Sequence, residues 1–234
     1  MSIERAARAQ RVRGVYLLTP DIEPGGVESM LSKLDAAVAA GAAMVQFRSK
    51  PDGAIGGMGT DSRRALAQRV QAVARRHSAL FIVNDDVDLA LALEADGVHL
   101  GRDDGDLHRA RAKLPHQLLG VSCYDNPERA DEAIRCGADL IAFGSMFPSG
   151  TKPGAVRASL DLLRRARLRH PDTRVVAIGG ICAGNIRSVA EAGAHAAAVI
   201  GAVFTAADAA GAARRLSDEF ARGQAEYERE RTAV

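Results

Sequence analysis

A single α/β domain closed into a (β/α)8 barrel, the TIM barrel, is the fold this sequence predicts, on three observations. Eight short apolar runs alternate with Ala- and Arg-rich helical stretches along the chain, the pattern of a parallel sheet, and eight is the number that closes a barrel. A small-residue phrase recurs where helices give way to strands, as in Ala39-Ala40-Gly41-Ala42, Arg135-Cys136-Gly137-Ala138 and Glu191-Ala192-Gly193-Ala194. In it, Gly takes the left-handed position that ends a helix. The length, 234 residues, lies near the ~250 usual for this fold.

The strand candidates are Gly14–Thr19, Met44–Arg48, Leu80–Asp85, Gly97–Gly101, Leu118–Cys123, Leu140–Ser145, Val175–Gly180 and Ala197–Ala202. Several are nearly continuous hydrophobic segments, as strands covered on both faces should be. The helix candidates are Val27–Ala40, Ser62–His77, Val87–Leu93, Asp106–Lys113, Pro127–Cys136, Ser159–His170, Ala183–Ala192 and Ala206–Arg222. An open doubly wound sheet would want a Gly-rich fingerprint after the first strand, and Thr19-Pro20-Asp21-Ile22-Glu23 supplies none. The barrel is assigned to residues 14–222. Residues 1–13 form a basic extension whose order the residues do not decide, and 223–234 a charged tail, read as the frayed end of the last helix. Gly-rich Pro51–Thr60 follows the second strand and is either a mobile lid or a tolerated insertion.

Composition narrows the function. Aromatics are 4% and Trp is absent, so stacking platforms for nucleic acid are not expected. A net charge of +2 leaves anion binding to local sites rather than to a global field. Cys123, Cys136 and Cys182 form no CxxC pair, which points to a reducing, cytoplasmic setting without a structural zinc. No run approaches 18 apolar residues, so no membrane span or secretion signal is expected. Self-association into a homo-oligomer is compatible with the sequence but not fixed by it.

Chemistry in such barrels sits at the C-terminal ends of the strands. The second candidate strand ends Gln46-Phe47-Arg48-Ser49-Lys50, and alternation sends Gln46, Arg48 and Lys50 to one side, a set suited to an anion. The third ends Asn84-Asp85-Asp86 and the fourth runs into Gly101-Arg102-Asp103-Asp104. Acids converging on one rim suit Mg2+, which takes oxygen ligands and is held by one or two carboxylates plus substrate phosphates. The same acids could instead cap the following helices, Asp86 one and Asp104 the next. The loop after the sixth strand, Phe147-Pro148-Ser149-Gly150-Thr151-Lys152, has the small, hydroxylated make-up of an oxyanion cradle without being a Walker A loop. Gly179-Gly180 and Gly201 open backbone N–H groups where barrels usually bind a phosphate. His99 reads as a packed, hydrogen-bonded residue rather than a base.

Together the motifs QFRxK, VNDD, DGVHLG, GVS, FPSxTK and AIGGI resemble the thiamine phosphate synthase family, in its order and spacing from about Gly14 to Phe204. The resemblance implies an enzyme that joins hydroxymethylpyrimidine diphosphate to thiazole phosphate, two phosphorylated small molecules, with Mg2+ as cofactor and release of diphosphate. It implies that Gln46, Arg48, Lys50, Asn84, Ser122 and Lys152 meet the pyrimidine diphosphate, with Arg48, Lys50, Lys152 and Ser122 in catalytic roles. By the same resemblance Asp85 and Asp104 hold the metal, and Ser149, Gly150, Thr151, Gly180, Ile200 and Gly201 surround the thiazole phosphate. Gly201 departs from the family, which often has Ser there. A thiazole tautomerase of the same fold would want a His just after the fifth strand, where this chain reads Ser122-Cys123-Tyr124. A non-catalytic sensor of thiamine intermediates would have no need of the leaving-group residues.

Overall fold

The structure is a computed structural model that describes residues 2–21, 24–49, 57–148 and 156–232. Its strands are β1 (Gly14–Leu18), β2 (Met44–Phe47), β3 (Leu80–Asn84), β4 (Gly97–Leu100), β5 (Leu118–Tyr124), β6 (Leu140–Phe143), β7 (Arg174–Ile178) and β8 (Ala196–Val199). They pair in parallel in chain order, and β8 returns to β1 to close the barrel. The helices are α1 (Ile3–Gln10), α2 (Val27–Ala39), α3 (Thr60–Arg76), α4 (Val87–Ala92), α5 (Leu107–Lys113), α6 (Pro127–Arg135), α7 (Leu160–Arg169), α8 (Ile186–Glu191), α9 (Gly201–Phe204) and α10 (Ala209–Thr232). None is long and apolar enough to cross a membrane. The three cysteines are unpaired.

Period-two alternation divides the strands between two cores. Val15, Leu17, Val45, Phe47, Phe81 and Val83 face the helices in the larger cluster. Tyr16, Leu18, Met44, Ile82, Leu118, Leu140 and Val176 fill the barrel interior. Both faces are apolar, which is why the strands read as unbroken hydrophobic runs. The alanines of β8 lie beside the bulky side chains of β1, Ala198 in register with Tyr16, so small residues there leave the interior room for a tyrosine.

Local signals set the helix ends. Asp86, Asp106, Asn126 and Ser159 each accept from a backbone N–H three residues on and so start α4, α5, α6 and α7, satisfying N–H groups that the helix itself cannot. Gly41, Gly137 and Gly193 all have positive φ, as the recurring Ala-Gly-Ala phrase requires.

Two segments outside the expected barrel are helical. Residues 1–13 contain α1, capped by Ser2 and held by its arginines rather than by an apolar face. Arg5 donates to Asp139 at 2.6 Å and to the Gly137 carbonyl, and Arg8 to Asp96 and the His116 carbonyl. The last expected helix ends at Arg222, whereas α10 continues to Thr232. Gly223, just past Arg222, is a contact point: a Cβ there would lie 2.4 Å from the Arg187 carbonyl oxygen of α8. Beyond it Gln224 donates to the Ala194 carbonyl, and Glu226 accepts from Arg187.

The N-terminal face has its own hydrogen-bonding scheme. Asp96, Asp139 and His195, the residues just before β4, β6 and β8, accept from the N–H of Phe81, Leu119 and Val175 in the preceding strands at 2.9 Å each. Three alternate strand starts are thereby clipped to their neighbours.

Candidate active site

At the opposite end, the inward positions of β2 to β5 turn polar in their last turn. Gln46 lies one alternation above Met44 and Asn84 above Ile82, and both are buried. Gln46 Nε2 donates to the Tyr16 hydroxyl at 2.8 Å. Burial raises the Tyr16 pKa above its ordinary value, against the opposing effect of the Gln46 hydrogen bond, so the phenol stays protonated. That contact fixes the carboxamide at the floor of the rim. Thr19, fully buried just past β1, pins the backbone of Arg48: its Oγ1 accepts from the Arg48 N–H at 2.8 Å and donates to the Arg48 carbonyl at 3.2 Å.

His99 and Ser122 come together across β4 and β5, His99 Nε2 lying 2.9 Å from Ser122 Oγ. The ring fits because residue 120 is glycine; a Cβ there would stand 2.5 Å from His99 Nδ1. The Gly of the GVS motif is therefore the space that lets His99 meet Ser122. Arg129, in the first turns of α6, donates to the Ser122 and Gly101 carbonyls at 2.8 and 2.9 Å and holds the ends of β4 and β5 together.

The four acids separate into distinct roles. Asp86 caps α4 through Oδ1 and pairs through Oδ2 with Arg63 of α3 at 2.6 Å, so for this residue the capping alternative holds. For Asp104 it does not. Asp106 is the cap of α5, while Asp104 Oδ2 folds back to accept from the Gly101 N–H at 2.6 Å. Asp85 stands at the end of β3 with φ +64, a left-handed conformation that costs energy in a non-glycine residue and persists where surrounding contacts enforce it; its N–H donates to the His99 carbonyl at 2.8 Å. Asp103 is exposed, and Arg102 lies 4.9 Å over the Tyr124 ring.

The described residues contain no cluster of three or more His, Cys, Asp or Glu side chains able to cage an ion. The donors present, two half-buried carboxylates at the ends of neighbouring strands, fit a hard cation that keeps waters and takes its remaining ligands from substrate phosphate. They fit Mg2+ and not a fully protein-ligated metal.

Across the mouth, β6 climbs over the end of β7. Met146 and Phe147 donate backbone N–H groups to the Ile178 and Gly179 carbonyls at 3.0 Å. Gly180 has φ +63, and a Cβ there would lie 2.4 Å from the Pro148 carbonyl oxygen. The two glycines of AIGGI thus let the loop after β6 pass directly over the strand end. Ile200 precedes α9, which Gly201 opens, and a Cβ added to Gly201 would have nothing within 4 Å. Lys50, Ser149, Gly150, Thr151 and Lys152, with residues 51–56 of the segment read as a lid or an insertion, lie outside the described residues. Thr19, Arg63 and Arg129 are structural members of the rim that the sequence reading misses; no motif marks them, because each acts on backbone or on a residue distant in sequence.

The family model described as "Thiamine monophosphate synthase" matches residues 15–203. A thiamine-phosphate synthase of Chromobacterium violaceum is 47% identical over 90% of this chain and 97% of its own length. One from an Azoarcus species is 48% identical over 85% and 93%. A solved thiamine phosphate pyrophosphorylase of Pyrococcus furiosus superposes with a TM-score of 0.79 at 31% identity, covering 92% of this chain and 98% of that one. With the polar rim over β2 to β5 and the glycine ends of β7 and β8 placed on a closed barrel, these likenesses establish that the chain belongs to the thiamine monophosphate synthase family.

Proposed function

We propose that this chain, a transferase of the thiamine-phosphate synthase family, couples 4-amino-2-methyl-5-hydroxymethylpyrimidine diphosphate with thiazole phosphate by a dissociative, Mg2+-assisted route. The observation that carries the reading is the division of the rim. Fixed polar side chains and two carboxylates crown β2 to β5, and glycine backbone crowns β7 and β8. Two differently built anion sites facing each other suit two phosphorylated substrates joined between them.

In this reading Gln46, held by Tyr16, and Asn84 position the aminopyrimidine, while Ser122, oriented by His99, lies beside it. Arg48, Lys50 and Lys152 gather around the diphosphate and stabilise the charge that builds as its C–O bond breaks; preorganised groups of this kind contribute several kcal/mol each at most. Mg2+, held by Asp85 and Asp104, supplies further charge neutralisation on the leaving group when bound. The thiazole nitrogen then forms the new C–N bond to the pyrimidinylmethyl carbon. The thiazole phosphate rests against Gly180, Ile200 and Gly201 with Ser149, Gly150 and Thr151. No side chain need act as nucleophile, which agrees with a rim whose one histidine is engaged with a serine. Water-soluble phosphorylated substrates also suit the cytoplasmic setting that the cysteine pattern points to.

The test is a coupling assay with both substrates, with and without Mg2+, following thiamine phosphate and diphosphate together. Equal formation of the two products, dependent on Mg2+, is expected. Diphosphate without thiamine phosphate, or no product at all with Mg2+ present, would sink the proposal.

A further inference from the structure

On the N-terminal face, at the end of the barrel away from the rim, a cavity of about 200 Å3 is lined by residues that include Arg13, Arg167, Arg174, His195, Gln224 and Glu228. It lies where the end of α1, α7 and α10 meet the starts of β7 and β8. The clip scheme of this face shows what is unusual about it. At two of the three clipped strand starts the acceptor is an aspartate, and arginines balance it: Arg8 on Asp96, and Arg5 and Arg111 on Asp139. At the third the acceptor is His195, a neutral ring, yet arginines are still gathered there. Arg174 donates through Nε to the Ala9 carbonyl and Arg167 through Nη1 to the Pro171 carbonyl, with the Arg167 guanidinium 6.0 Å from the Tyr227 ring centre. Among the described residues neither Arg167 nor Arg174 nor Arg13 is in an ion pair with a carboxylate. Glu228, the acid at the cavity edge, is half-exposed and is paired with Arg231 at 3.8 Å.

The histidine adds a directed donor. Val175 donates its N–H to His195 Nδ1, so in the neutral ring the proton must reside on Nε2. That Nε2–H is buried and has no acceptor among the described residues, an arrangement that costs free energy until an acceptor is supplied. The local field is positive: burial first, then Arg167 and Arg174, push the His195 pKa down to about 3, and burial with Arg167 lowers that of Arg174.

We propose that this cavity binds a small tetrahedral oxyanion of the phosphate class, which replaces the aspartate of the other two clips as counter-charge to Arg167 and Arg174 and accepts from His195 Nε2. The volume suits one phosphate group with its waters, and guanidinium groups are the donors best shaped for its oxygens. The site is independent of the coupling activity assigned to the rim.

The experiment is thermal unfolding of the full-length protein titrated with inorganic phosphate at constant ionic strength, chloride being the exchanged ion. The wild type is compared with Arg174→Met and with the rim variant Arg48→Met. Phosphate should raise the midpoint of the wild type and of Arg48→Met alike, and the apparent affinity should be about tenfold weaker in Arg174→Met, the effect of removing one charged hydrogen-bonding partner. His195→Asn, whose Oδ1 can keep the Val175 bond while its shorter side chain places no donor where Nε2 stood, should show a smaller weakening and carries the test if Arg174→Met does not fold. In parallel, the His195 Nε2 resonance of Arg48→Met should move on adding phosphate. Stabilisation that vanishes in Arg48→Met but survives in Arg174→Met, or an unmoved His195 resonance, overturns the proposal, as does an equal midpoint rise with chloride alone.

Discussion

Asp96 and Asp139 at the bottom of the barrel and Asp85 and Asp104 at its top are four aspartates on one parallel scaffold in different settings. The bottom pair stands just before strands, and each accepts from a neighbouring strand N–H and from arginines. Asp139 is 2% exposed, and its charge is matched within the protein. The top pair stands just after strands and is half-buried, Asp85 on left-handed backbone and Asp104 bent back onto Gly101. Elsewhere positive φ follows the same divide. Ser78 and Glu94 adopt it where α3 and α4 end, an ordinary helix stop, whereas Asp85 and Tyr124 adopt it where β3 and β5 end, over the mouth. Left-handed non-glycine backbone thus occurs at both ends, as a helix stop at the bottom and as a strand end at the top.

The contrast is broken most directly at the bottom. Asp139→Ala leaves Arg5, Arg111 and the Leu119 N–H without their acceptor, and about 3 kcal/mol of stability should be lost, measured by denaturant unfolding, with turnover per folded molecule nearly unchanged. A comparable loss of turnover in the folded fraction would show that the two ends are coupled. Asp85→Asn should do the reverse. Turnover should fall about 100-fold, roughly 2.7 kcal/mol of barrel-top catalysis, with a weaker response to Mg2+ and stability within about 1 kcal/mol of wild type. Wild-type kinetics in that variant would remove Asp85 from the metal site.

The bottom should also respond to pH. The His195 pKa is about 3 in the folded protein against about 6.5 unfolded. Between those values the unfolded chain binds the extra proton, so stability is full above about pH 6.5 and declines as pH falls. The loss at pH 5 should reach about 2 kcal/mol in phosphate-free buffer, and His195→Asn should flatten that slope. The smallest effect is expected at Gly201→Ser. Open space around the missing Cβ predicts a stability change within about 0.5 kcal/mol, and an added hydroxyl should lower KM for thiazole phosphate roughly threefold. A raised KM would mean that Gly201 approaches its ligand too closely for any side chain.

The barrel was legible because its signals are local: apolar runs of strand length, and Gly41, Gly137 and Gly193 marking the drop from helix to sheet. α1 was not, because its contacts are arginines reaching Asp139 and Asp96 far along the chain and none of its residues is fully buried. α10 runs on through Gly223 because helix propensity is overridden where another backbone needs the space. At the rim, Gln46, Asn84 and Ser122 followed from alternation or motif. The His99–Ser122 contact did not, because it depends on the side chain absent from Gly120. For Asp86 and Asp104 the residues left metal and cap equally open, and only the placement of Arg63 and of Asp106 separated them.

The strand-start clips also differ from the contacts of α1 in the length of chain they close. They join positions 15 to 20 residues apart, distances over which a chain finds itself quickly and at small entropic cost. The bonds from Arg5 to Asp139 and from Arg174 to Ala9 span 134 and 165 residues. Neighbouring strands are therefore joined at a smaller chain-closure cost than α1, which latches positions far apart along the chain.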